Sequence, residues 1–204
     1  MEPLPHARWP EATDLLMRAF DEDPFFNFLA PEADTRARFL AAVMGTNLVL
    51  GDPRGAVNAI VDPDLRGICI WFAPHRYPIP TGEQMRVRAT AIAKAMARGQ
   101  APLGLVTRAL RAADLLDEAH IEPPYFYLQT LAVDPRFHGQ GLGSSMLREC
   151  CRQADEARLP ALLETSKEMN ARLYRRFGFE TLRTTALEGG PPVWTMRRAP
   201  APLS

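Results

Sequence analysis

The sequence predicts an α/β (α+β) fold, and three observations carry that prediction. Helical periodicity fills the N-terminal third, a strand hairpin follows it, and a strand–loop–helix–strand–helix order runs from Tyr125 to a closing pair of strands. The first helix is expected from the apolar stripe Leu15, Leu16, Ala19 and Phe20, and the next from Phe39, Leu40, Val43, Met44 and Leu48. Between them, Asp21-Glu22-Asp23-Pro24-Phe25-Phe26 breaks the pattern with carboxylates and a proline. Ala56 to Val61 and Gly67 to Phe72 read as strands joined by the turn-forming residues 62–67, and Pro74, Pro78 and Pro80 end this part of the sheet.

Residues 81–122 return to helix and read as a helical insertion in the sheet. The stretch opens with Thr81-Gly82-Glu83-Gln84, which has capping-box spacing, and continues with Met85, Ala89, Ile92 and Met96 on one face. Gly99, Pro102 and Gly104 interrupt it before a second helix through Leu105, Leu110, Leu115 and Leu116. Tyr125 to Val133 is an aromatic and β-branched strand that Asp134-Pro135 terminates. Leu142, Met146, Leu147, Cys150 and Ala154 form a helical face, and Ala161 to Ser166 a short buried strand. Met169, Leu173 and Phe177 suggest another helical face with Gly178 as its C-cap, and two strands flank Gly189-Gly190-Pro191-Pro192.

A chain of 204 residues fits one domain, taken here as 1–204, with a core of useful size. Lys+Arg and Asp+Glu both number 24, so no electrostatic case exists for nucleic acid or an anionic membrane as partner. The N-terminus lacks the features of a secretion signal and no segment is apolar for long enough to span a bilayer, so a cytoplasmic location is expected. Cys69, Cys150 and Cys151 form no CxxC pair, and His6, His75, His120 and His138 show no ligand spacing. Packing thiols and no metal are therefore expected.

The most informative segment is Val133-Asp134-Pro135-Arg136-Phe137-His138-Gly139-Gln140-Gly141-Leu142-Gly143-Ser144, a glycine-rich turn between a strand and an amphipathic helix. Glycines let backbone amides approach an anion, and the helix N-terminus adds donors and partial positive charge. A Walker A loop is excluded, because Gly143 leads to Ser144-Ser145 and not to Lys-Ser/Thr. Gly139-x-Gly141-x-x-Ser144 comes near a dinucleotide fingerprint, with Glu164 where a ribose contact would sit. Against that oxidoreductase reading, five residues separate the strand from the first glycine, and the chain closes on a hairpin.

His138-x-x-Gly141-x-Gly143 also resembles the pyrophosphate loop of the GNAT superfamily of N-acetyltransferases, commonly Gln/Arg-x-x-Gly-x-Gly/Ala. Leu163-Glu164-Thr165-Ser166, Asn170 and Tyr174-Arg175-Arg176-Phe177-Gly178-Phe179 resemble that family's second signature, so the likeness covers residues 125–180. The Leu-Glu-Thr-Ser strand and Val193-Trp194-Thr195-Met196 are similar to its puromycin N-acetyltransferase branch. His138 departs from the pattern; because such a loop binds mainly through backbone amides, altered affinity is the expected consequence.

The resemblance implies a mixed antiparallel and parallel central sheet that splays after the strand ending near Val133, with acetyl-CoA as co-substrate. It places the co-substrate on Leu131, Ala132, Val133, His138, Gly139, Gln140, Gly141, Leu142, Gly143, Ser144, Asn170 and Tyr174. Backbone groups of Leu131 and Val133 would pair with the pantetheine arm, and an amide there would polarise the thioester. Tyr174 is the implied general acid, its alternative being a core tyrosine. Asn170 would hold the pantetheine or orient Tyr174, or else cap its helix. The acceptor amine must lose a proton, since a free amine has a pKa of about 10.4. Glu164, inside a buried strand, is the best single candidate for the base, with a purely structural carboxylate as the competing reading. Tyr127 and His120 are weaker candidates.

A small-molecule amine is favoured as acceptor over a protein amine, because the inserted helices, with Trp71, Phe72, Tyr77 and Phe126 near their ends, suggest a lid. Asp21, Glu22 and Asp23 read first as a solvated acidic loop and second as an attractor for a cationic amine. A catalytically silent coenzyme A-binding module is the rival from a different functional class. Exposed strand edges in such folds often pair, which leaves a homodimer open.

Overall fold

Seven strands form one sheet in the computed structural model, which describes residues 1–97 and 102–201. In chain order they are β1 (Glu2–Pro3), β2 (Val57–Val61), β3 (Leu65–Phe72), β4 (Phe126–Val133), β5 (Ala161–Thr165), β6 (Glu180–Thr185) and β7 (Val193–Arg198). The helices are α1 (Trp9–Phe20), α2 (Pro24–Leu29), α3 (Ala33–Gly51), α4 (Thr81–Ala97), α5 (Leu103–Asp117), α6 (Leu142–Ala157) and α7 (Glu168–Arg176). The sheet order is β1-β2-β3-β4-β5-β7-β6, antiparallel throughout except for the β4–β5 pair, so the sheet is mixed. No helix among the described residues is long and apolar enough to cross a membrane.

Helices cover both faces, because alternate residues of the central strands are apolar on both sides. On one face Leu15 and Leu16 of α1 and Leu40, Met44 and Leu48 of α3 bury against Ile68, Ile70, Phe72 and Tyr127. On the other, Met146, Leu147 and Cys150 of α6 and Tyr174 of α7 bury against Cys69, Trp71, Leu128, Leu163 and Met196. Each fully buried leucine of this kind contributes about 1.5–3 kcal/mol.

The middle of the sheet is irregular. β3 and β4 pair Ile70 with Thr130 and Trp71 with Leu128, so Gln129 is an extra residue bulged out of β4. β4 and β5 pair only as Phe126–Ala161, Tyr127–Leu162 and Leu128–Leu163. Beyond that point β5 continues against β7 while β4 continues against β3, so the two strands separate at the bulge. The separation thus begins five residues before Val133.

Several local expectations are corrected. Residues 24–29 are helical, because Asp23 accepts the amide of Phe25 and Pro24 supplies a preset φ at the first helical position. Strand β3 starts at Leu65, which shortens the hairpin turn. The capping box at α4 does not form: Thr81 is already the first helical residue, Gln84 N–H bonds the Pro80 carbonyl, and the Gln84 side-chain amide donates to the Ile79 carbonyl. In α7, Met169 is 77% exposed, and Ala171 and Tyr174 form the buried face. Gly178 takes φ +86°, a left-handed conformation that closes α7 with Gly178 N–H bonded to the Arg175 carbonyl. Gly99 and the side chain of Met96 lie outside the described residues.

Candidate functional site

The separation of β4 from β5 leaves backbone groups of β4 open toward β5. Asp134 N–H bonds the Arg66 carbonyl on the β3 side, and strand alternation turns Leu131 and Val133 the opposite way, toward the gap. His138 Nε2 lies 3.2 Å from the Val133 carbonyl, at the mouth of this gap. Thr130 and Ala132 are buried on the face of α1 and α3.

The glycine turn sits at the same end. Gly139 and Gly141 have φ +80° and +75°, and a Cβ built on either would meet no atom within 4 Å. Glycine is needed at both for the backbone conformation, and both face open space. Gly141 is the N-cap of α6, which begins with no side-chain cap and no acidic residue in its first turn. The amides of Leu142, Gly143 and Ser144 are therefore the donors that a helix start ordinarily leaves unpaired, while Ser145 N–H already bonds the Gly141 carbonyl. Such an arrangement fits a phosphate group.

Asp134 anchors this turn. Its fully buried carboxylate accepts from Arg18 of α1 at 2.6 Å and from Arg136 at 2.8 and 3.0 Å. The Arg136 hydrogen bond, opposed by burial and reinforced by Arg18, holds the Asp134 carboxyl far below the usual range. The start of the glycine turn is thereby tied to the helix that packs on the other side of β4.

Glu164 projects from β5 just past the last β4–β5 pair, on the face that also carries Tyr127. Tyr127 Oη donates to Oε2 at 2.8 Å, and His120 Nε2 lies 2.8 Å from Oε1. The hydroxyls of Tyr77 and Tyr125 each lie 3.2 Å from His120 Nδ1. When Nε2 donates to the Glu164 carboxylate, Nδ1 has one lone pair, which the Tyr77 and Tyr125 hydroxyls share. His120 and Glu164 are each 10% exposed in their side chains, so a charged group here is buried together with its partners.

On the opposite face, Tyr174 is buried beside Phe179, with ring centroids 5.9 Å apart. Burial, with smaller contributions from Cys69, Cys150 and Asp23, pushes its phenol well above the ordinary tyrosine value, so it stays protonated. Asn170 lies one turn earlier on α7 and is half-buried; it does not cap the helix, whose N-cap is Lys167. The three cysteines are buried, Cys69 Sγ and Cys150 Sγ lying 3.5 Å apart.

A cavity of about 300 Å³ opens between α2, α3, α4, α5 and β4. Phe25, Phe26, Phe39, Ile92, Leu105 and Val106 give it apolar walls, and Tyr127 and Gln129 form its floor at the bulge. Among the described lining residues Arg88 is the single charge and there is no carboxylate. The acidic loop contributes none: Asp23 caps α2 and accepts from Ser166 Oγ at 2.8 Å, while Asp21 pairs with Arg36 at 3.5 Å. Of the four aromatics expected near the lid only Tyr77 lines the cavity; Trp71 and Phe126 stack on each other under α6, and Phe72 is core.

The structure therefore brings Glu164, Tyr127 and His120 together on one side of the separated strands. Leu131, Val133 and the turn from His138 to Ser144 share the gap and its end. Gln129, Tyr77 and Tyr125 were not singled out as polar site groups from sequence. Gln129 was detectable as a lone amide within an apolar strand, whereas the two tyrosines carried no such signal.

Residues 105–181, from α5 to the start of β6, match the family model of the acetyltransferase (GNAT) domain. Among solved structures the chain is similar to histone acetyltransferase HPA2 and related acetyltransferase from Corynebacterium glutamicum, at 23% identity over 99% of this chain and 96% of that one, with TM-score 0.63. It is also similar to arylalkylamine N-acetyltransferase 2 from Aedes aegypti, at 15% identity over 97% of both chains, with TM-score 0.63. A third likeness is to the C-terminal condensation domain of Ebony in complex with beta-alanyl-dopamine, at 11% identity over 97% and 96% of the chains, with TM-score 0.62. At such identities the likenesses establish the fold, and the chain has the GNAT fold.

Proposed function

We propose that the protein is an N-acyltransferase that moves an acetyl group from acetyl-CoA directly onto the primary amine of a small molecule. The observation that carries this reading is the separation of β4 and β5 at Gln129, with the glycine turn at one end and a cavity on one face. The match of residues 105–181 to the acetyltransferase domain supports it, as does the similarity to an enzyme whose name specifies N-acetylation of arylalkylamines. The likeness of Leu163–Ser166 and Val193–Met196 to the puromycin N-acetyltransferase branch favours a small acceptor.

Acetyl-CoA supplies an acyl group already activated as a thioester. The first-turn amides of α6 and the backbone of Gly139–Gly141 hold its pyrophosphate, while the β4 groups of Leu131 and Val133 pair with its pantetheine arm. Asn170 borders that arm. Backbone amides at the gap donate to the thioester oxygen, where negative charge grows as the amine attacks.

Glu164 accepts the proton that the amine loses, directly or through the Tyr127 hydroxyl, and His120 holds the carboxylate in place. Tyr174, kept neutral by its surroundings, returns a proton to the departing thiolate. One C–N bond forms, one C–S bond breaks, and the products are an amide and free coenzyme A thiol. No covalent enzyme intermediate is needed.

The test is free-thiol release from acetyl-CoA across a panel of amines. Turnover with at least one small amine supports the reading; stabilisation by acetyl-CoA with no turnover on any amine would identify a silent coenzyme A-binding module.

A further inference from the structure

The cavity restricts which amine is accepted, an argument that rests on the acyltransferase reading and narrows it. Its walls combine Phe25 and Phe26 of α2, Phe39 and Val43 of α3, Ile92 of α4 and Leu105 of α5. Phe26 meets Phe39 at 6.1 Å between centroids and Phe25 at 6.1 Å, so one side of the cavity is a packed aromatic wall. The uncharged polar side chains Thr46, Asn47 and Gln84 also line the cavity, but a ligand that set a second ammonium or hydroxyl group against the aromatic wall would strip it of water and leave it unpaired there. The described lining offers no carboxylate to offset that cost.

The floor of the cavity does call for one polar group. Gln129 Oε1 is shut off from solvent and hydrogen-bonded to nothing among the described residues, whereas most buried amide oxygens have a partner. Gln129 is also the bulged residue, one position past the last β4–β5 pair, beside Tyr127 and its bond to Glu164. The unpaired amide and the candidate base therefore flank the place where the gap meets the cavity.

From this arrangement we infer that the acceptor is a monoamine with an aromatic or branched apolar body, its nitrogen bound by Gln129 at the gap and its body against the Phe25–Phe26–Phe39 wall. Gln129 is then a substrate-positioning residue and the aromatic wall the specificity determinant. Polyamines and amino sugars are poor acceptors on this account, since each would bring a second polar group into the apolar end.

Binding without any acyl donor tests the inference separately from the transfer reaction. Calorimetry should show phenethylamine binding at least tenfold more tightly than spermidine or glucosamine. Ala42→Trp, which places an indole in the cavity from α3, should weaken phenethylamine at least tenfold while the rise in melting temperature caused by acetyl-CoA persists. Val106→Phe from α5 serves the same purpose if circular dichroism shows Ala42→Trp unfolded. Gln129→Leu should weaken phenethylamine but not ethylbenzene, which has no nitrogen. Spermidine or glucosamine binding as tightly as phenethylamine would overturn the inference, as would indifference of phenethylamine to the cavity variants. Loss of acetyl-CoA binding by the wild type would instead overturn the acyltransferase reading.

Discussion

Tyr127 and Glu164 lie on adjacent strands that diverge immediately after Leu128, and the Tyr127 hydroxyl bridges the divide by donating to Glu164 Oε2 at 2.8 Å. Tyr127 faces the cavity, whereas the Glu164 carboxylate stands behind it, held on its other oxygen by His120. A proton taken from a cavity-bound amine thus has a short hydrogen-bonded route to a carboxylate.

Glu164→Gln keeps the shape of the side chain and one acceptor oxygen, replaces the other by an N–H donor that Tyr127 or His120 must then meet as an acceptor, and removes the base. Turnover at neutral pH is expected to fall about 10²- to 10⁴-fold, the usual range for a positioned acid or base, with acetyl-CoA affinity unchanged. Steady-state kinetics with direct binding checks this, and wild-type turnover in the variant would leave Glu164 a structural carboxylate.

Tyr174→Phe removes the hydroxyl and keeps the ring packed on Phe179. Single-turnover acetylation should slow about 10²- to 10⁴-fold, and the defect should shrink with an acyl donor whose thiol is more acidic, since a better leaving group needs less protonation. A lower melting temperature with no dependence on the leaving group would mark the hydroxyl as structural.

Gly141→Val should abolish the rise in melting temperature that acetyl-CoA causes. A β-branched residue is strained at φ +75°, and its side chain would occupy the open space above the turn. The comparison is made below the melting temperature of the variant by calorimetric titration. Unchanged binding would remove this turn from the phosphate site.

Asp134 couples stability to pH. Its pKa is depressed in the folded state by Arg136 and Arg18, so its contribution is present above the unfolded value of about 3.9 and is lost as pH falls through the folded one. Asp134→Asn should therefore lower the melting temperature at neutral pH, by about 2–4 °C for each kcal/mol lost, and should flatten the decline on acidification below about pH 4. Thermal melts at neutral and acidic pH check both effects. Parallel curves for the variant and the wild type would show that the ion pairs contribute nothing measurable.

The thiols should be inert in the native state. Burial pushes the Cys151 thiol up to about 11, and the contact with Cys69, together with burial, holds the Cys150 thiol well above its ordinary value. A thiol reagent at pH 8 should label all three cysteines only after denaturation, because reaction needs the thiolate and access.

The sequence alone determined what is local. Helical stripes, the hairpin, the strand at residues 126–133, the glycine turn and the Tyr174 block were legible, because periodicity, turn chemistry and backbone conformation are short-range properties. The α2 helix was missed because a side-chain cap at Asp23 outweighed the apparent break. The exposure of Met169 was misread because a nine-residue helix shows too few turns to fix its buried face. Only the tertiary structure decided where β4 leaves β5, since that depends on a one-residue bulge opposite Ile70 and Trp71 that leaves the apolar pattern almost intact. It likewise decided that His120, 44 residues from Glu164, completes the same buried network. The cavity is a tertiary product too: its walls come from four helices and a strand, and no segment by itself encodes an empty volume.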